Sequence, residues 1–389
     1  MRQAWIAAKA RMDPDDLAKV AALIHKAHEE AIENAKGGGG APSAPSEMAL
    51  VLSALDEEIE APGQKLDVPV VLDDGTIMGC EPYEQLDPSW LLAVAQWLHH
   101  PPPYPVSFRE GAVARAMPDE FVLGLVGDWG ASASGQKDAV GRELAKRAPD
   151  IAVHLGDVYH CGTADNEQRC LVDSFPHGRL GSYALNSNHE MFAGGIGYFQ
   201  TLLDGAPAFA KQEGRSYFAL ENERWVLLGL DSAYAASWPD MSKTGALNPV
   251  QIDFVAEQAK KGKHLLILTH HPGLDPAGNP IEPYYSQVTA ALDPAATNLW
   301  YWGHVHAGYV HRKVGAVDGR CIGHGALPYA LPKTLAASPA IEWLERRKAE
   351  RWPRLRNGFA VLRFTPAGLR EEILDSRGES GWSRDWTLA

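Results

Sequence analysis

Phe121-Val122-Leu123-Gly124-Leu125-Val126-Gly127-Asp128-Trp129-Gly130 is the stretch on which the reading turns. Its first six residues form an unbroken apolar run, the pattern of a strand buried on both faces. It closes on Gly-Asp, a polar pair at the strand's carboxyl end. A helix is expected over 136–148, followed by a second apolar strand, Ile151-Ala152-Val153-His154-Leu155, which makes a β-α-β unit. Further apolar strands are expected at Trp225–Leu230, His264–Thr269 and Asn298–Trp302, with a helix over about 248–261. Strand-like pieces follow at 308–313, 320–323, 358–364 and 369–374, and the charged run 341–351 reads as a solvated helix. The expected fold is α/β, with two mixed β-sheets packed as a sandwich and flanked by helices.

The polar residues fall at regular places. The first strand ends in Gly127-Asp128, and the second in Gly156-Asp157-Val158-Tyr159-His160. Tyr183-Ala184-Leu185 leads into Asn186-Ser187-Asn188-His189-Glu190. The strand at 264–269 runs into His270-His271-Pro272, and that at 298–302 into Gly303-His304-Val305-His306. In open α/β sheets, ligands bind beyond the carboxyl ends of the strands, so this placement gathers the residues in one cleft. Two metal ions about 3.5–4 Å apart need an anionic ligand between them, which Asp128 or Asp157 could supply. Imidazoles select Zn, Fe, Ni or Mn over Ca. His304 and His306, two apart on an extended segment, share one face.

Taken in order, the motifs GDxG, GDxx, NHE, HHP and GHVH resemble the calcineurin-like metallophosphoesterase family over about Phe121 to His306. The first motif is most similar to the purple acid phosphatase branch. The resemblance implies one metal on Asp128, His160 and His306, a second on Asn188, His270 and His304, and Asp157 bridging them. The implied cofactors are two divalent or trivalent ions, among Fe, Mn and Zn. His189 is implied to contact the phosphoryl oxygens or protonate the leaving group, with His189 and Asp157 as the catalytic pair. The implied reaction is hydrolysis of phosphomonoesters or phosphodiesters by hydroxide drawn from a water that the metals acidify. Two positions depart from the family pattern: His160 stands where that branch usually has Tyr, with Tyr159 just before it, and Ser187 stands where the family has Gly.

Each residue also has a plainer reading. Asp128 and Asp157 could cap strand ends, since Gly-Asp is common in turns. His270 and His271 compete for one role, and His160 could sit in a surface loop. His154, inside a strand, reads as a core histidine, and His324 as structural. Trp129, Tyr159, Tyr234, Trp238 and Tyr329 read as packing residues that could also wall a substrate pocket. A non-catalytic metal- or phosphate-binding regulatory module on the same fold is the alternative to an enzyme.

Outward from this core, residues 119–389 are expected as the metallophosphoesterase domain and 48–118 as an accessory region or cap. Residues 1–36 read as a helix, capped by Asp13 and started by Pro14, so the N-terminal part is mainly helical. Residues 37–47, rich in Gly, Pro and Ser, read as a linker. A hairpin is expected where Asp73-Asp74-Gly75 joins Val68–Leu72 to Thr76–Met78. The chain has 389 residues and a net charge of −13, which argues against a nucleic-acid-binding face but does not exclude a small anionic substrate, since bound metal can dominate the local field; the resemblance implies a small phosphate ester as the partner. Cys80, Cys161, Cys170 and Cys321 match no zinc or redox spacing and read as reduced thiols. No stretch reads as a signal peptide or a membrane span, so a cytoplasmic protein with no membrane partner is the expectation.

Overall fold

The computed structural model describes residues 70–71, 77–78, 82–84, 87, 89–131, 135–238, 241–350 and 353–387. The helix expected over 1–36, the linker at 37–47 and Cys80 lie outside them. The small hairpin pairs β1 (Val70–Val71) with β2 (Ile77–Met78). Helix α1 (Trp90–His99) follows, then β3 (Ala114–Ala116), β4 (Phe121–Val126), α2 (Gly135–Lys146), β5 (Ile151–His154), β6 (Gly181–Ala184) and the short α3 (Asn188–Phe192). Next come β7 (Phe218–Glu221), β8 (Trp225–Gly229), α4 (Pro249–Ala259), β9 (His264–Leu268), α5 (Tyr284–Thr289) and β10 (Asn298–Trp302). The chain closes with β11 (Gly308–His311), β12 (Asp318–Ile322), α6 (Lys333–Ala337), β13 (Ile341–Leu344), β14 (Gly358–Thr365), β15 (Gly368–Asp375) and β16 (Ser380–Thr387).

These strands build two mixed sheets with flanking helices. The eight-stranded sheet has the order β13-β11-β12-β10-β9-β8-β7-β3, and the six-stranded sheet the order β16-β15-β14-β4-β5-β6. Strands β4, β5 and β6 run parallel, as do β8, β9, β10 and β12. Period-two alternation explains the layers. Leu266 and Leu268 of β9 face Leu123, Leu125 and Val153 of the other sheet, in the core between the sheets. Leu265 and Ile267 point outward, under Phe254 and Val255 of α4. On the far side, Val140 and Leu144 of α2 cover Ala152 and Val361. Helix α4 starts where expected: the Asn248 side chain accepts the Gln251 amide and Pro249 takes the first helical position.

The 341–351 run corrects one expectation. Ile341–Leu344 is an edge strand on β11, not a helix. Its alternation is of period two, with Ile341 and Trp343 partly buried and Glu342 outward on Arg384 at 2.6 Å. The charges are solvated as expected, but the backbone groups are paired across a sheet. Strands β3, β7 and β16 were not expected. β3 belongs to the stretch read as accessory, yet it pairs with β7 and supplies the edge of the larger sheet.

Candidate metal centre

The two sheets bring their carboxyl ends to one place. Asp128, Asp157 and Asn188 follow β4, β5 and β6 of the smaller sheet, and His270, His304 and His306 follow β9 and β10 of the larger one. Three of these residues, Asp128, Asp157 and His304, hold positive φ angles of 56°, 74° and 64°. Such angles are costly for non-glycine residues and gather at functional sites. The neighbouring glycines allow the approach. A Cβ on Gly156 would lie 2.8 Å from His270 Nδ1, and one on Gly303 would lie 2.5 Å from Asp128 Oδ2.

His270 Nδ1 donates to the Leu155 carbonyl at 2.9 Å. Its Nε2 therefore faces Asn188 Oδ1 at 2.9 Å, Asp157 Oδ1 at 3.2 Å and His304 Nδ1 at 3.2 Å. His304 Nδ1 also lies 3.2 Å from Asn188 Oδ1, and the His304 amide donates to Asp128 Oδ2 at 2.8 Å. His306 Nε2 sits 3.4 Å from Asp128 Oδ1. The His306 side chain is 27% exposed while Asp128 is fully buried, so the centre opens on the His306 side. Donor atoms of Asp128, Asp157 and His270 lie within 4.8 Å of one another, as do those of His270, His271 and His304.

This donor set fits cations. Burial, then the charge of Asp157, pushes the Asp128 carboxyl up. Burial acts the same way on Asp157, but His189, His270 and His304 outweigh it and hold its pKa well below the usual range. Burial and the neighbouring His271 and His270 rings drive His304 well below its ordinary value, so the ring is neutral and offers one nitrogen lone pair. Among the described residues, the ion-pair partners of both carboxylates are imidazoles alone. Two buried carboxylates without Lys or Arg are a charge deficit that bound metal would cancel.

His271 is committed elsewhere. Its Nε2 donates to the Ser242 carbonyl at 2.7 Å, and its Nδ1 meets Ser232 Oγ at 2.8 Å. Of the competing pair, His270 is the ring turned toward Asp157 and Asn188. His189 lies at the margin, with Nε2 3.7 Å from Asp157 Oδ2 and Nδ1 donating to the His160 carbonyl at 2.6 Å.

His160 is the residue the structure does not bring into the cluster. Its ring turns away, with Nε2 3.0 Å from Asp87 Oδ2, and stacks on Tyr83. Tyr159 points inward instead. Its hydroxyl lies 3.1 Å from Asp128 Oδ1, 2.9 Å from Asp157 Oδ2 and 3.1 Å from His306 Nε2. Asp157 and His304 both lie beyond their strands at positive φ, so the strand alternation expected to put His304 and His306 on one face does not govern either loop.

Sequence reasoning also missed the carboxyl behind Asp157. Ser187 Oγ contacts both Asp157 Oδ1 and Glu190 Oε2, and it has one proton to give. Burial, then Asp157, pushes Glu190 up to about 8. A protonated Glu190 therefore donates to Ser187, which donates to Asp157. Val158 N donates to Glu190 Oε1 at 3.0 Å and fixes the acid's orientation. Cys161, Cys170 and Cys321 are buried free thiols, and Cys321 donates from Sγ to the Val305 carbonyl at 3.3 Å, beside His304. His154 and His324 are buried ring residues of the core, and no helix among the described residues is long and apolar enough to cross a membrane.

No curated protein sequence matches the chain. Similar solved structures include GAP50, the anchor in the inner membrane complex of Plasmodium (10% identity, 69% of this chain and 89% of that one, TM-score 0.48). A dimetal phosphatase from Danio rerio is similar at 12% identity, over 69% of this chain and 99% of that one, with TM-score 0.43. Vps29 from Chaetomium thermophilum is similar at 10% identity, over 69% and 96%, with TM-score 0.27. At the level of the domain the comparison is direct: residues 121–308 match the family of calcineurin-like phosphoesterases.

Proposed function

We propose that this protein hydrolyses phosphate esters of small molecules at a two-metal centre held by Asp128, Asp157, Asn188, His270, His304 and His306. The observation that carries the reading is the meeting of two sheets' carboxyl ends around two buried carboxylates, three imidazoles and an amide oxygen, with no Lys or Arg paired to the carboxylates among the described residues. Tyr159, not His160, is the group that supports the first ion. This phenol, with the GDxG motif, favours the purple acid phosphatase-like branch. The mixed imidazole, carboxylate and phenol donors suit Fe, Mn or Zn. Bound there, the ions would supply Lewis-acid charge and a more acidic water.

The chain's own residues supply the rest. In the reaction, water oxygen bonds to phosphorus, the ester P–O bond breaks, and the departing oxygen takes up a proton while water gives one up. His189 is oriented for the proton delivery: with Nδ1 tied to the His160 carbonyl, Nε2 is the end that faces the centre. Asp157 would supply anionic charge to the ions, and Ser187 fixes its carboxylate.

The test is metal analysis of the purified protein together with turnover of aryl phosphate mono- and diesters, with Asp157→Asn as control. About two transition-metal ions per chain, and activity that falls to background in the variant, are expected. No metal and no turnover after supply of Mn, Zn or Fe would overturn the reading in favour of a non-catalytic binding module.

A further inference from the structure

The segment before the matched domain reaches the centre through Asp87 and through the rings of Tyr83 and Trp90. Asp87 is almost fully buried, and its carboxylate accepts the Tyr83 amide at 2.8 Å and the Ser89 amide at 3.0 Å. The remaining contact is to His160, whose Nε2 donates to Oδ2 at 3.0 Å. Tyr83 stacks on the His160 ring at 4.6 Å, and Trp90 of α1 closes over it edge-on at 4.8 Å. Trp90 also borders Tyr159 at 5.9 Å and His189 at 5.6 Å. Ala93 and Trp97, one and two turns along α1, pack with Cys161 and Phe192, on either side of the same loop and helix.

His160 therefore sits between two systems. Its side chain belongs to the Asp87 segment, while its backbone carbonyl takes the proton of His189 Nδ1 at 2.6 Å. The residue before it delivers the Tyr159 hydroxyl to the two carboxylates. An aspartate that holds a ring this firmly also fixes the peptide attached to it. A displacement of a few tenths of an ångström there would change the His189 tautomer and direction.

We propose that Asp87 and His160 form a clamp by which residues 83–97 position His189 for proton delivery to the leaving group. The segment is then a working part of the centre, not only a cover. The proposal rests on the hydrolytic reading only for the nature of the proton acceptor. Asp87 and His160 are positioning residues, since neither faces the place where an ester would sit.

Three variants test this. Asp87→Ala removes the acceptor, Asp87→Asn keeps an oxygen for His160 Nε2–H, and His160→Phe keeps a ring without the proton. The first readout is the His189 Nδ1–H signal in histidine-labelled protein by NMR, identified by its loss in His189→Gln. It is expected to be slow to exchange with water in the native chain and in Asp87→Asn, and broadened or lost in Asp87→Ala and His160→Phe. The second readout is kcat for esters of poor and good leaving groups. Loss of proton delivery is expected to cost alkyl phosphates about 10²-fold or more while aryl phosphates with acidic leaving groups lose much less. A signal unchanged in all three variants, or losses equal for both ester types with the fold intact by circular dichroism, would overturn the clamp. If the native chain turns over no ester, the hydrolytic reading fails while the NMR arm still decides the clamp.

Discussion

Tyr159 puts a phenol at the meeting point of two buried carboxylates, and burial followed by the charges of Asp128 and Asp157 holds it well above its ordinary pKa. A cation at the same point reverses that sign: a metal favours the phenolate, as it favours every anionic ligand. Protein supplied with ferric iron is therefore expected to show a visible absorption band from phenolate-to-iron charge transfer. Tyr159→Phe is expected to remove the band, lower iron affinity by about 10–100-fold, and leave the fold intact. A band that survives in Tyr159→Phe would show that the phenol is not a ligand. At this scale most of the cluster was legible, because each donor follows an apolar strand and the motif order needs no geometry to read. His160 against Tyr159 was not legible from the motif alone. That choice depends on Asp87, more than seventy positions earlier, which draws the His160 ring outward at 3.0 Å.

At the scale of elements, a fully buried ionic contact ties the two sheets. Arg320 of β12 donates from Nε to Glu371 Oε2 of β15 at 2.9 Å, and from a terminal nitrogen to Oε1 at 3.1 Å. Both side chains are fully buried. Tyr301 of β10 donates to the same carboxylate, and the Trp386 indole of β16 closes the set. A buried pair of this kind adds little by existing but is costly to break, because the surviving charge has no solvent. Glu371→Gln is expected to lose about 3–5 kcal/mol in urea unfolding, whereas the exposed pair of Arg370 with Asp385 is expected to contribute less than about 1 kcal/mol. A loss below about 1 kcal/mol in Glu371→Gln would mean that Arg320 finds another partner. The strands that make this contact show what periodicity can reveal. β4, β5, β9 and β10 are buried on both faces and read as apolar runs, so they were visible at once. β13 and β16 lie at sheet edges, carry Glu342, Arg384 and Asp385, and owe their form to partners elsewhere in the chain. Local pattern carries no signal for such pairing.

At the scale of the whole molecule, the buried histidines make stability depend on pH. His311 lies in β11 between the rings of Trp302 and Tyr309, and His324 lies against Tyr329; both are fully buried. Burial lowers each from 6.5 to about 4. Above the unfolded value the ring is neutral in both states and folding costs nothing in protons. As pH falls from about 6.5 to about 4, the unfolded chain binds a proton that the folded chain refuses, so stability is lost across that window and levels off below it. Each ring then contributes a loss of up to about 3.5 kcal/mol, at about 1.4 kcal/mol per pH unit between 6.5 and about 4. His311→Phe keeps an aromatic ring of similar size and takes no proton. Urea unfolding at about pH 7 and about pH 5 is expected to show a smaller loss between the two conditions in His311→Phe than in the native chain. The two profiles running parallel would mean that the His311 ring takes up its proton without unfolding, through a polar route to solvent that its packing between Trp302 and Tyr309 does not provide.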